Sequence, residues 1–259
     1  MNNGVSVLEF RISAFYGKTA VLHDVGASIG RGETAALVGL SGSGKSTLAL
    51  ALLRLLHYRG GNVTGSIRLE GEELAGASER QMREVRGKKI GYVPQNPTAA
   101  LNPRLRIRTL LEETWRAHSS RPAAGSFYGN LLESVQLPSD ARFLARRAGE
   151  LSTGQGQRLL IGLAIMHNPS LVIADEPTSA LDVITQAAVL RLFRELSEQR
   201  KMAMLFISHD LLSVAEIAQR VDILHEGRLV ETGPPGEIFA HPVHDFTRQL
   251  VAALPRPPG

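Results

Sequence analysis

The sequence predicts an α/β chain built on a parallel sheet covered on both faces. Three observations point there. Short apolar runs such as "TAALVG" and "SLVIADE" alternate with segments of helical periodicity. A glycine-rich turn joins one such strand to a helix in "LVGLSGSGKSTLALALL". A mostly helical block, Ile107–Met166, interrupts the alternation and reads as an inserted subdomain.

In chain order, Val5–Ile12 and Ala20–Ile29 read as strands, the second entering the turn "GRGE". "TAALVG" is a buried strand, and Lys45–Leu56 a helix with Leu48, Leu52 and Leu56 on one face. Gly65–Gly71 and Ile90–Val93 are strands, and the helical block carries one loop, "HSSRPAAGS". Ser170–Glu176 is an apolar strand ending in two carboxylates. Val183–Gln199 is a helix, "MAMLFISHD" a strand and Leu211–Gln219 a helix. "RVDILHEGRLVETG" reads as a hairpin turning at Glu226-Gly227. The tail "LPRPPG" is expected to be disordered. No internal repeat is present.

Composition narrows the class. The 259 residues, 43% hydrophobic, suit one large domain. No apolar run reaches the ~20 residues that span a bilayer, and the N-terminus lacks the pattern of a secretory signal. With no Cys there are neither disulfides nor thiolate metal sites. The formal charge is +4. Arginine gathers at Arg104, Arg106 and Arg108 and at Arg142, Arg146 and Arg147, which suits solvated faces or a protein partner better than nucleic acid.

"GLSGSGKST" (Gly39, Leu40, Ser41, Gly42, Ser43, Gly44, Lys45, Ser46, Thr47) fits G-x-x-x-x-G-K-[ST] in the strand–helix context that this motif requires. Gly42 and Gly44 let the backbone wrap a phosphate and successive N–H groups form an anion nest. Lys45 would reach the β- and γ-phosphates and Ser46 would bind Mg²⁺. Asp175, at the carboxyl end of "LVIAD", would hold Mg²⁺, and Glu176 would act as general base. Read alone, "DEPTS" also fits a pair of carboxylates capping a helix. Gln95 and His209 each leave a predicted strand at its carboxyl end. Gln95 could bind metal or water and His209 could donate to developing charge, or both could be ordinary loop residues.

Taken together and in order, "GLSGSGKST", "VPQNP", "LSTGQ", "LVIADEP", "SALD" and "ISHD" resemble the ATPase subunit of ABC transporters over roughly Val5–Leu250. The resemblance implies a P-loop NTPase core with an antiparallel β subdomain (about 1–95 and 170–250), a helical subdomain (about 96–169) and a flexible tail (251–259). It also implies ATP and Mg²⁺, the latter held by Ser46, Gln95 and Asp175. Gln95, Asp182 and His209 fall on the family's Q-loop, D-loop and switch-histidine positions. Tyr16, beside Phe15, stands where an aromatic stacks on adenine, or is a core aromatic. Ser152, Gly154 and Gln155 would face ATP bound to a second subunit across a helix N-terminus, with Asp182 beside them. Thr153 replaces the first Gly of the usual LSGGQ. A β-branched residue there would narrow backbone freedom and weaken closure.

"QNPTAALNPRLRIRTLLEE" and "EIFAHPVHDFTRQLVAALP" resemble the oligopeptide, dipeptide and nickel importer subfamily. The short C-terminal region without Cys leans toward the nickel or metal-chelate members over the peptide ones. This subfamily implies two membrane permease subunits, a second ATPase chain, an external solute-binding protein and a peripheral place on the cytoplasmic face of the membrane, with no nucleic acid. The alternatives are a soluble ABC ATPase acting on nucleic acid and a weakly hydrolysing regulatory half of an asymmetric pair.

Overall fold

The computed structural model describes residues 6–254, so the expected strand start at Val5 and the tail beyond Leu254 lie outside the described residues. Two sheets organise the chain. Strands β1 (Ser6–Tyr16), β2 (Thr19–Gly30), β4 (Gly61–Leu69) and β5 (Glu72–Glu73) form an antiparallel sheet in the order β2-β1-β4-β5. The second sheet runs β10-β9-β3-β8-β7-β6. It comprises β3 (Thr34–Val38), β6 (Ile90–Val93), β7 (Leu171–Asp175), β8 (Ala203–Ser208), β9 (Arg220–His225) and β10 (Arg228–Gly233). The neighbours from β6 to β9 are parallel, and β10 adds an antiparallel edge.

Burial explains the two patterns. In β1 the buried Leu8, Phe10, Ile12 and Ala14 alternate with exposed Glu9 and Arg11, the mark of a sheet wet on one side. Every residue of β3, β7 and β8 is buried, because helices cover one face and the first helix with the antiparallel sheet covers the other. Alternate side chains therefore enter two separate cores. Ala36, Val38, Met204 and Phe206 face the helical block, whereas Ala35, Leu37, Leu205 and Ile207 face β1 and the first helix. The β9–β10 hairpin turns at Glu226 (φ 45°) and Gly227 (φ 71°), as its sequence predicts.

The helices are α1 (Lys45–Leu52), α2 (Glu79–Val85), α3 (Pro97–Ala100), α4 (Ile107–Arg116), α5 (Phe127–Ser134), α6 (Ala141–Ala145), α7 (Thr153–Ile165), α8 (Val183–Arg200), α9 (Leu211–Ile217), α10 (Pro235–Ala240) and α11 (Asp245–Ala252). Several differ from expectation, and α10 and α11 follow a hairpin after which the sequence reading placed no helix. Helix α1 stops at Leu52 rather than Leu56, because Arg54 turns left-handed (φ 52°) and donates to the carbonyls of Leu74 and Ala77. Leu56 is nevertheless buried, on a following 3₁₀ turn. Helix α2, unforeseen, is set by a Ser78–Gln81 capping box. Helix α11 extends through Val251 and Ala252, which the expected flexible tail had included.

In the core facing the helical block, Phe193 of α8 meets Phe206 of β8 edge-to-face, with ring centroids 5.6 Å apart at 84°. Phe206→Ala is expected to cost about 3–5 kcal/mol, read from the midpoint of urea unfolding.

Candidate active site

The turn between β3 and α1 is shaped by what cannot fit. A Cβ on Gly39 would lie 2.2 Å from the Leu224 carbonyl oxygen, and Gly44 (φ 108°) would drive one to 2.7 Å from Leu22 Cδ2. Gly44 caps α1 with no side chain, so the backbone at this helix start faces outward undisturbed by a capping oxygen. Ser41, Gly42, Gly44, Lys45, Ser46 and Thr47 line one hollow together with Val21, Gln95 and Glu176. The Ser43 hydroxyl is buried without a hydrogen-bond partner, and Leu40 is exposed. A cradle of backbone amides, a buried cation and an unpaired hydroxyl fit a polyphosphate.

Lys45 is 5% exposed. Its Nζ donates to the carbonyls of Gly39 (2.8 Å) and Leu40 (3.0 Å) and lies 3.7 Å from Glu176 Oε1. Burial pushes the ammonium pKa down, partly opposed by Glu176 and Asp175. Asp175 ends β7 and is itself buried. It accepts from Ser46 Oγ (3.3 Å) and from the Tyr92 hydroxyl (3.3 Å). Burial raises its pKa despite these bonds, and burial beside Asp175 raises that of Tyr92. The adjacent Ser46 hydroxyl and buried Asp175 carboxylate are the oxygen donors that Mg²⁺ favours.

Glu176 turns left-handed (φ 46°), with its N–H donating to the Ile207 carbonyl at 2.9 Å. The turn separates its carboxylate from that of Asp175 and brings three predicted residues to it. Lys45 approaches Oε1, while Gln95 Nε2 (3.1 Å) and His209 Nδ1 (3.2 Å) both meet Oε2. Gln95 Nε2 also reaches Ser179 Oγ at 3.2 Å. Helix capping does not explain "DEPTS": the next helix is α8, capped by Asp182. Sequence reasoning missed Tyr92 and Ser179. Tyr92 sits in β6 beside β7, in a register (Tyr92↔Ile173) that only the pairing reveals.

The remaining predicted residues gather elsewhere. Ser152 caps α7: its Oγ accepts from Gln155 N–H (3.2 Å), and Gln155 Oε1 accepts from Ser152 N–H (3.2 Å). Asp182 caps α8, accepting from Thr185 N–H (3.0 Å) and Oγ1 (2.7 Å), which holds its carboxyl below the usual range. Gly154 lies against this cap, where a Cβ would meet Thr185 Cγ2 at 2.6 Å. Ser152, Gly154, Gln155 and Asp182 thus line a second hollow, with Thr153 and Arg158. Thr153 is the first helical residue of α7 and is not left-handed. The β-branch therefore sits on an ordinary helical backbone. Tyr16 ends β1 half-buried against the core, paired with Thr19 and Gly61, and does not line the phosphate-loop hollow.

The raised pKa of Asp175 has a stability consequence. The folded chain holds this proton to higher pH than the unfolded chain, so its contribution to stability falls as pH rises through that window. Asp175→Asn is expected to raise the nucleotide-free Tm by about 2 °C at neutral pH while abolishing Mg²⁺-dependent nucleotide binding. Differential scanning fluorimetry with and without Mg²⁺-nucleotide checks both.

A family model described as ABC transporter matches residues 22–179. The chain is 40% identical over 248 residues to the oligopeptide transport ATP-binding protein OppD of Lactococcus lactis subsp. cremoris, covering 95% of this chain and 73% of that one. It is 42% identical over 246 residues to the glutathione import ATP-binding protein GsiA of Pectobacterium atrosepticum, covering 92% of this chain and 40% of that longer protein. A solved structure of the ATP-binding subunit of an ABC transporter superposes with a TM-score of 0.72 at 28% identity, covering 90% of this chain and 91% of that one. Phosphate cradle, buried lysine, paired carboxylates and these likenesses agree: the chain belongs to the ABC transporter family, as one of its ATP-binding, ATP-hydrolysing subunits.

Proposed function

We propose that two such ATPase chains clasp ATP between them and that its hydrolysis drives import of a small peptide through partner permease subunits. The observation that carries this reading is the division of the site into two hollows on one chain. One offers Gly39–Thr47, Asp175, Glu176, Gln95 and His209. The other offers a helix N-terminus at Ser152, Gly154 and Gln155 beside Asp182. Each hollow supplies what the other lacks, and a partner chain set head-to-tail would join them over one triphosphate.

The contacts around Glu176 support a sequence of roles. Lys45 is held by two carbonyls within reach of this carboxylate. An arriving γ-phosphate would draw the ammonium toward itself and free Oε1 to accept a proton from the attacking water. His209 and Gln95, both on Oε2, would orient the base and sense the phosphate. Mg²⁺, when bound by Ser46 and Asp175 with Gln95 nearby, would neutralise phosphate charge. Tyr16, or Phe15 beside it, would take the adenine edge of the site from the end of β1.

ATP favours the joined pair and ADP with phosphate does not, so hydrolysis resets it. Residues 96–169 would move as one unit and push the permease subunits. The chain would then sit at the cytoplasmic face of the membrane, with a solute-binding protein delivering cargo outside. The relatives named for oligopeptides and glutathione favour a peptide cargo over the nickel or metal-chelate reading.

Glu176→Gln should retain ATP affinity within about twofold, lower turnover by more than about 10²-fold and accumulate a dimer on ATP addition. Size-exclusion chromatography and phosphate release check this, and near-normal turnover would remove Glu176 from the role of base. Lys45→Ala should weaken ATP binding by about tenfold or more in calorimetry.

A further inference from the structure

A cavity of about 270 Å³ lies apart from both hollows of the nucleotide site and shares no lining residue with either. It sits between the 3₁₀ turn Leu56–Arg59, strand β4, residues 74–78 and helix α2. Its volume is close to the lower end of the ~300–1,000 Å³ usual for small-molecule pockets. Buried Leu56, Ile67 and Met82 form its floor, and half-buried Val63, Ala75 and Ala77 its walls. The floor is fixed in place. Strand β4 passes so close to Leu56 that a Cβ on Gly61 would lie 2.7 Å from Leu56 Cγ.

Two arginines reach this cavity, and the fold uses them differently. Arg86 is engaged on all sides. Its Nε donates to the Leu53 carbonyl (2.8 Å), while Nη1 and Nη2 meet the two oxygens of Glu79 at 2.7 and 3.1 Å. Nη2 also donates to the Arg54 carbonyl at 3.2 Å. Arg54 is half-buried and donates from Nη1 alone, to the carbonyls of Leu74 (2.9 Å) and Ala77. Among the described residues its Nε and Nη2 meet no acceptor, and no carboxylate pairs with it. A half-buried guanidinium anchored on one nitrogen, with its other edge open, is an anion receptor.

We propose that this cavity binds a small monocarboxylate with an apolar body, its carboxylate on the open edge of Arg54 and its body against Val63 and the floor. The planar guanidinium fork matches a carboxylate in two places. Glu79 is already neutralised by Arg86, so the cavity carries one uncompensated cation. That balance suits a single negative charge better than the nearly two of a phosphate monoester. The cavity is also remote from the triphosphate. Arg54 lies just beyond the last residue of α1 and the phosphate loop at its first, roughly 12 Å apart along the eight-residue helix. Binding here is independent of the transported cargo.

The test is calorimetric titration of the purified full chain with phenylacetate. One molecule is expected per chain, with a dissociation constant of about 1 mM or below. The neutral analogue phenylacetamide and the variant Arg54→Gln should each weaken binding about tenfold. Val63→Trp, which fills the cavity and leaves the cation in place, should abolish it; this variant decides the matter if Arg54→Gln unfolds the end of α1. Arg83→Gln, on the exposed face of α2, and Lys45→Ala, at the phosphate loop, should leave the affinity unchanged, as should saturating Mg²⁺-ATP. Absence of binding, equal affinity for the amide, or indifference to Val63→Trp or to a folded Arg54→Gln overturns the proposal. So does displacement by Mg²⁺-ATP or loss of binding in Lys45→Ala, either of which would make the cavity an extension of the nucleotide site.

Discussion

The site depends on keeping three charged groups close together at the carboxyl end of a buried sheet. Lys45, Asp175 and Glu176 are all shielded from solvent, and isolated ions there would be costly. Lys45 is tolerable because two carbonyls and a carboxylate surround it. Asp175 is tolerable because two hydroxyls point at it. The left-handed turn at Glu176 makes the arrangement possible: an extended continuation of β7 would carry the second carboxylate away from Lys45, Gln95 and His209. Such strain at a non-glycine residue is tolerated where the surroundings hold it, here through the N–H bond to Ile207.

That constraint explains the rest of the architecture. The carboxylates need a rigid platform, and the fully buried strands β3, β7 and β8 provide one, clamped between two cores. One core joins the sheet to β1 and α1, fixing the phosphate loop. The other joins it to α7 and α8, fixing Ser152 and Asp182 at the starts of those helices. Neither of these capping groups depends on the nucleotide for its own hydrogen bonds. The second hollow is therefore held by the chain's own hydrogen bonds, a preorganisation that lowers the ordering cost of any binding there.

The helical block has a separate logic. Its interior is apolar, with Ile107, Leu111, Leu132 and Ile161 fully buried, but residues 96–169 hold nine arginines against five carboxylates. Stability does not ask for that excess, since Arg106 stands opposite Arg147 and like charges so placed oppose folding.

Much was legible in the sequence because it is local. The phosphate loop, the strand–carboxylate pattern around Asp175 and the hairpin at Glu226-Gly227 each follow from nearest-neighbour sterics and periodicity. The order of motifs gave Gln95 and His209 only through its resemblance to the ABC ATPase family. What needed the tertiary structure is what separate segments do to each other. Helix α1 ends early because Arg54 finds carbonyls about twenty residues on, and Tyr92 reaches Asp175 through a strand register. Arg106 meets Arg147 only once the chain has closed a loop of forty residues. Composition and spacing determine which groups a chain owns, while long-range packing decides which of them stand within a hydrogen bond of one another.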